Sequence, residues 1–216
     1  MVSINQNTMN KQHILFLALF LSVSLVIHAQ DFKSLNEARG LETGIKAPLF
    51  KAKDMNSSFF NLEQALEKGP VVLIFYRGHW CPVCNAHLSN LQDSLSLIYD
   101  LGAQVVAISP ENPEYLEMTS QKTGAEFTLL YDEGYTIASA YDVAFQPTSA
   151  GKFLINTFTT ANLKNAHSDE SQRLPIPATY IINPDGYISW RHVNPDYKKR
   201  ASIQAIIGHL KTVRKK

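Results

Sequence analysis

The chain has 216 residues, 45% hydrophobic and 18% charged, which suits one globular domain and excludes a disordered or fibrous chain. Its 20 Lys and Arg against 19 Asp and Glu leave a net charge of +1 and argue against a nucleic-acid partner, which asks for a basic face. The basic end Lys211, Arg214, Lys215 and Lys216 reads as a solvated helix terminus that complements the helix dipole.

At the N-terminus, Lys11 precedes an uncharged apolar run over residues 14–27, which closes on Ile27, His28, Ala29 and Gln30. The run is shorter than the ~20 residues of a spanning helix and matches a signal-peptide core. Residues 1–30 are therefore expected to be a signal peptide cleaved after Ala29 or Gln30, with Met9 as an alternative start. The competing reading is an uncleaved anchor, the one case in which the chain would touch a membrane. Export predicts a periplasmic or other extracytoplasmic location for residues 31–216, where disulfides persist and reduction needs a dedicated electron donor.

Residues 31–65 are mixed and polar, with a turn at Gly44 and Pro48. The run Val71, Val72, Leu73, Ile74, Phe75, Tyr76 predicts a strand buried on both faces. After Arg77, Gly78, His79 and Trp80, the apolar spacing of Cys84, Leu88, Leu91, Leu95 and Ile98 predicts one helix ending near Gly102. A strand over 104–108 and a weak helix over 115–122 follow, and residues 127–131 and a short helix over 135–141 continue the chain. Strands alternating with helices imply parallel pairing and an α/β fold. Residues 145–173 show no clean period and read as an insertion, weakly helical over 153–163. A strand at Thr179, Tyr180, Ile181 and Ile182 then turns through Asn183-Pro184-Asp185-Gly186 into a hairpin. The last helix carries Ile203, Ile206, Ile207, Leu210 and Val213 on one face.

The only two cysteines form Cys81-Pro82-Val83-Cys84 between a strand and a helix. At this spacing the sulfurs can close a small, reversible ring, and the helix N-terminus favours a thiolate. The reading requires that they lie close together, at the leading end of the helix, and within reach of solvent. A redox couple is the favoured reading. A zinc site would want two further ligands, of which Cys84-x-x-His87 adds one, and an inert disulfide would remove little chain entropy. No cofactor or metal is expected. Arg77 and His79 could add positive charge, although a turn histidine is more often exposed and idle. Trp80 reads as a packing or docking surface. Pro177 precedes the strand expected beside the active-site strand; if cis, it would present backbone to the sulfurs, and otherwise it is a strand-edge proline.

The stretch Phe75-Tyr76-Arg77-Gly78-His79-Trp80-Cys81-Pro82-Val83-Cys84 resembles the active-site region of the alkyl hydroperoxide reductase/thiol-specific antioxidant family, in a peroxiredoxin-like branch with a thioredoxin-type Cys-x-x-Cys. Gly44-x-x-Ala47-Pro48-x-Phe50, the stretch Pro177-Ala178-Thr179-Tyr180-Ile181-Ile182-Asn183-Pro184-Asp185-Gly186 and Asp196-Tyr197-Lys198-Lys199-Arg200 fit the same family. The resemblance implies a thioredoxin fold, a central mixed β-sheet flanked by helices, with the insertion before the late strand pair. It also implies thiol-dependent reduction of hydroperoxides or disulfides. Against the family's Pro-x-x-x-Thr/Ser-x-x-Cys, Cys84 takes the peroxidatic position, Cys81 the threonine's and Arg77 the proline's. The family's peroxide-binding arginine falls on Pro177, leaving Arg77, Arg173 or Arg191 as candidate substitutes.

The first expectation is a peroxiredoxin-like peroxidase in which Cys84 attacks and Cys81 resolves, rereduced by a thioredoxin-like donor. The second is an exported disulfide reductase, thioredoxin-like, in which Cys81 attacks. The third is a non-enzymatic binding module with a permanently closed disulfide.

Overall fold

The computed structural model describes residues 32–213; the expected signal peptide lies outside the described residues. The first elements are a hairpin of β1 (Lys51–Lys53) and β2 (Phe59–Asn61), followed by α1 (Leu62–Leu66). The sequence shows no regular element here because the strands are three residues long and the turn lacks glycine. Instead, Ser57 takes φ 64° and Asp54 Oδ1 accepts from the backbone N–H groups of Asn56 and Ser58, a turn in which a short polar side chain replaces glycine.

β3 (Val71–Phe75) leads through the Cys81–Cys84 turn into α2 (Pro82–Asp93). The single helix expected to Gly102 breaks at Ser94, which has φ −110° and ψ 9°, and resumes as α3 (Leu95–Tyr99). Leu95 and Ile98 keep facing the core, so the apolar period continues across a break in the backbone. β4 (Gln104–Ser109), α4 (Pro113–Thr123), β5 (Thr128–Tyr131), a turn of 3-10 helix (Glu133–Tyr135) and α5 (Thr136–Ala140) follow.

The insertion is more ordered than its irregular sequence implies. It runs from β6 (Ala144–Phe145) through α6 (Ser149–Phe158) and α7 (Leu163–Ala166) to β7 (Leu174–Pro175), which closes it by pairing with β6. The weak helix expected over 153–163 thus begins earlier and stops at Phe158. Thr148 sets the start, its hydroxyl accepting from Gly151 N–H. β8 (Ala178–Ile182), β9 (Ile188–Val193) and α8 (Ile203–Val213) complete the chain.

The central sheet has the order β5-β4-β3-β8-β9. β3, β4 and β5 run parallel; β8 and β9 are antiparallel to their neighbours. All of β3 is buried, and its residues alternate between two cores. Val72 and Ile74 pack with Leu88, Leu91, Ile98, Leu116, Ile206 and Leu210 from the helices on one face. Val71, Leu73 and Phe75 pack with Leu62, Tyr141, Tyr180 and Ile182 on the other. This two-sided burial explains the uninterrupted apolar run and holds the end of β3, where the cysteine turn departs, in the middle of the sheet.

Candidate active site

Cys81 is the N-cap of α2 and Pro82 its first helical residue, where a missing N–H costs no helical hydrogen bond. Cys81 and Cys84 are joined as a disulfide, with Cα atoms 5.2 Å apart. The Cys84 backbone N–H donates to Cys81 Sγ over 3.3 Å, so a free donor of the helix end points at that sulfur.

The pair is closed to solvent in this oxidised state: Cys81 is 1% exposed and Cys84 0%. The expectation of solvent-reachable sulfurs is therefore corrected. The cover comes from the segment after β9, residues 194–202, which the sequence places far from the cysteines. Arg200 Nη2 lies 3.0 Å from Cys84 Sγ and 4.0 Å from Cys81 Sγ. Its Nε donates to the Tyr197 carbonyl over 2.9 Å. Arg77 sits 4.6 Å from the Trp80 ring centroid and 4.6 Å from that of Tyr197, tying the cysteine turn to the covering segment. Burial lowers the affinity of Arg77 for its proton. Burial, then repulsion from Arg77, brings Arg200 down to about 10, which leaves it charged at neutral pH. Among the described residues no ion pair links either guanidinium to a carboxylate.

His79 is not an exposed, idle turn residue. It is 3% exposed, its backbone N–H donates to Glu111 Oε2 over 2.8 Å, and its Nδ1 lies 2.8 Å from Glu111 Oε1. The His79 carbonyl accepts from Asn85 Nδ2 and Lys122 Nζ. Glu111 is fully buried just past β4; desolvation raises its pKa and the contacts with His79 pull it back. Trp80 is 7% exposed and belongs to the helix-side core rather than to a docking surface. Its Nε1, like Arg77 Nε, is a buried donor without a hydrogen-bond partner among the described residues.

Pro177 lies beside the turn, since Ala178 pairs with Phe75 across β8 and β3. All described peptide bonds are trans, so the cis arrangement is not realised; the Pro177 carbonyl accepts from Asn194 N–H over 3.4 Å instead. With Arg77 and Tyr197, Pro177 lines a groove of about 370 Å³ whose other walls include Phe145 and Ile155 of the inserted segment. Arg173 and Arg191 do not serve the site. Arg173 pairs with Asp169 at 3.1 Å and stacks on Phe32 and Tyr135. Arg191 pairs with Glu42 at 2.7 Å. Sequence reasoning did not single out Glu111 or Arg200. Arg200 stands in a stretch that resembles the family, but nothing local marks it as a neighbour of the sulfurs.

A parallel-centred sheet that delivers a bonded Cys-x-x-Cys to a helix N-terminus defines a dithiol oxidoreductase of the thioredoxin fold. Residues 43–191 match the model of the AhpC/TSA family, and the chain belongs to that family. It is 32% identical over 173 residues to a putative peroxiredoxin bcp of Haemophilus influenzae, covering 80% of this chain and 98% of the relative. It is 26% identical over 171 residues to peroxiredoxin Bcp of Escherichia coli, covering 79% and 96%. Among solved structures, peroxidoxin BcpB of Mycobacterium tuberculosis superposes with a TM-score of 0.62 at 19% identity, over 81% of this chain and 97% of that one. The chain is thus a thiol-dependent oxidoreductase of peroxiredoxin type.

Proposed function

We propose that the mature chain is an exported peroxidase in which Cys84 is oxidised by a hydroperoxide and Cys81 resolves it. The Cys84 thiolate attacks the O–O bond; an S–O bond forms, the peroxide bond breaks, and the alkoxide or hydroxide leaves and takes a proton. The Cys81 thiol then displaces water from the Cys84 sulfenic acid, forming the disulfide. A thioredoxin-like donor restores both thiols while its own two thiols become a disulfide. The supporting observation is the bonded Cys81–Cys84 pair with a guanidinium nitrogen 3.0 Å from the Cys84 sulfur. The N-terminal apolar run supports the exported location.

The variants Cys84→Ser and Cys81→Ser test it by peroxide consumption with a dithiol donor. The expected outcome is no turnover without Cys84, and slower turnover without Cys81, because the donor must then reduce the Cys84 sulfenic acid directly. Full turnover by Cys84→Ser would contradict the assignment. One observation favours a second reading, disulfide reduction by Cys81: the helix-end N–H donates to Cys81 Sγ. Mixed disulfides that form through Cys81 in Cys84→Ser, with no peroxide consumed by the unaltered chain, would select that reading.

A further inference from the structure

We propose that Arg200 is a catalytic residue: its guanidinium holds Cys84 as the thiolate and, by the same interaction, makes the disulfide easier to reduce. The proposal rests on the peroxidase reading for the rate it affects, but not for the charge state it sets.

In the oxidised chain Arg200 is in an unrewarded position. It is partly buried, repelled by Arg77, and lacks a carboxylate partner among the described residues, while its Nη2 lies 3.0 Å from a neutral sulfur. Reduction changes that balance. When a dithiol donor passes two electrons to the disulfide, the S–S bond breaks, Cys81 is protonated, and Cys84 can remain as an anion directly against the guanidinium. A charge pair then forms where none stood before. In a partly buried site such an attraction is screened less than at the surface, so it lowers the pKa of Cys84 and favours the reduced form together. The contact also selects between the sulfurs, because Cys81 Sγ is 4.0 Å from the same nitrogen. During peroxide attack the same N–H groups are placed to stabilise the oxygen that departs with negative charge.

Other charged and titratable groups surround the cysteine turn and Arg200 and need to be held constant. They are Arg77 and His79 from the turn, Glu111 from just past the end of β4, His87 from α2, and Tyr197 from the covering segment. His87 Nε2 lies 3.1 Å from the Ala201 carbonyl, next to Arg200 in the chain. None of them contacts Cys84 Sγ as Arg200 does.

The test uses the mature chain with Arg200→Met, Arg200→Lys, and Lys199→Met as a neighbouring charge control. Alkylation of Cys84 against pH, in a Cys81→Ser background, reads the thiol directly. Arg200→Met is expected to raise the midpoint by about one pH unit or more, Arg200→Lys by less, and Lys199→Met not at all. Equilibration of the disulfide with a small dithiol is expected to shift roughly tenfold toward the oxidised form in Arg200→Met. Its peroxide rate should fall on the order of 100-fold. A folded Arg200→Met chain with an unchanged midpoint and unchanged thiol equilibrium would overturn the proposal, and so would an unchanged midpoint in Arg200→Gln if Arg200→Met does not fold. An unaltered chain that consumes no peroxide, yet whose Cys84 midpoint depends on Arg200, would sink the peroxidase reading and leave this proposal supported.

Discussion

Gly78 carries a steric demand that no other residue type meets. Its φ is +150°, and a Cβ there would run into Glu111 Oε1 and lie 2.6 Å from Trp80 Nε1. The backbone must pass this close for Glu111 to accept from His79 N–H and reach its ring. Gly78→Ala is therefore expected to cost about 2 kcal/mol or more, read as a lower urea midpoint, through strain and loss of these buried contacts. An unchanged midpoint would show that the turn relaxes freely. Little of this was legible in the residues themselves. His79 and Glu111 stand 32 positions apart, and only the parallel pairing of β3 with β4 makes them neighbours. Arg200 is 116 positions from Cys84 and reaches it only because the chain returns after β9.

At the scale of elements, β3, the hairpin of β8 and β9, and α8 were readable because each obeys one period and ends at a recognisable turn. The break at Ser94 was hidden because the apolar period runs straight through it. α6 was hidden for the opposite reason: it is amphipathic but fully buries no residue and meets the core only through the half-buried Ile155, so most of its apolar pattern answers to no core. Phe153, Leu154 and Phe158 are 66%, 53% and 76% exposed. Replacing all three with serine is expected to change the unfolding free energy by no more than about 0.5 kcal/mol per site, measured by chemical denaturation. A loss several times larger would mean that this face is covered. Thr148, whose hydroxyl caps the helix, is the residue on which α6 depends more.

For the whole molecule, two buried histidines tie stability to pH. Burial brings His87 down to about 4, with Arg200 adding to the shift, and brings His167 down to about 4 as well. Between the ordinary value near 6.5 and about 4 the unfolded chain binds protons that the folded chain does not. Their contribution is thus present above 6.5 and lost as pH falls through that window, at up to about 1.4 kcal/mol per pH unit for each histidine. Asp132 acts in the opposite sense: burial raises it to about 6, so between that value and 3.8 the folded chain binds the extra proton. A difference measurement separates them. The stability of the unaltered chain relative to His87→Gln is expected to shrink between pH 6.5 and 4 in urea titrations; a constant difference would contradict the buried, neutral histidine.

Redox chemistry at this pair turns on which sulfur takes oxygen. Reduced Cys81→Ser protein, given one equivalent of hydroperoxide and a sulfenic-acid trap, is to be digested and weighed peptide by peptide. Adduct on the peptide bearing Cys84 is the expected result. An unmodified Cys84, with the peroxide unconsumed, would contradict the account.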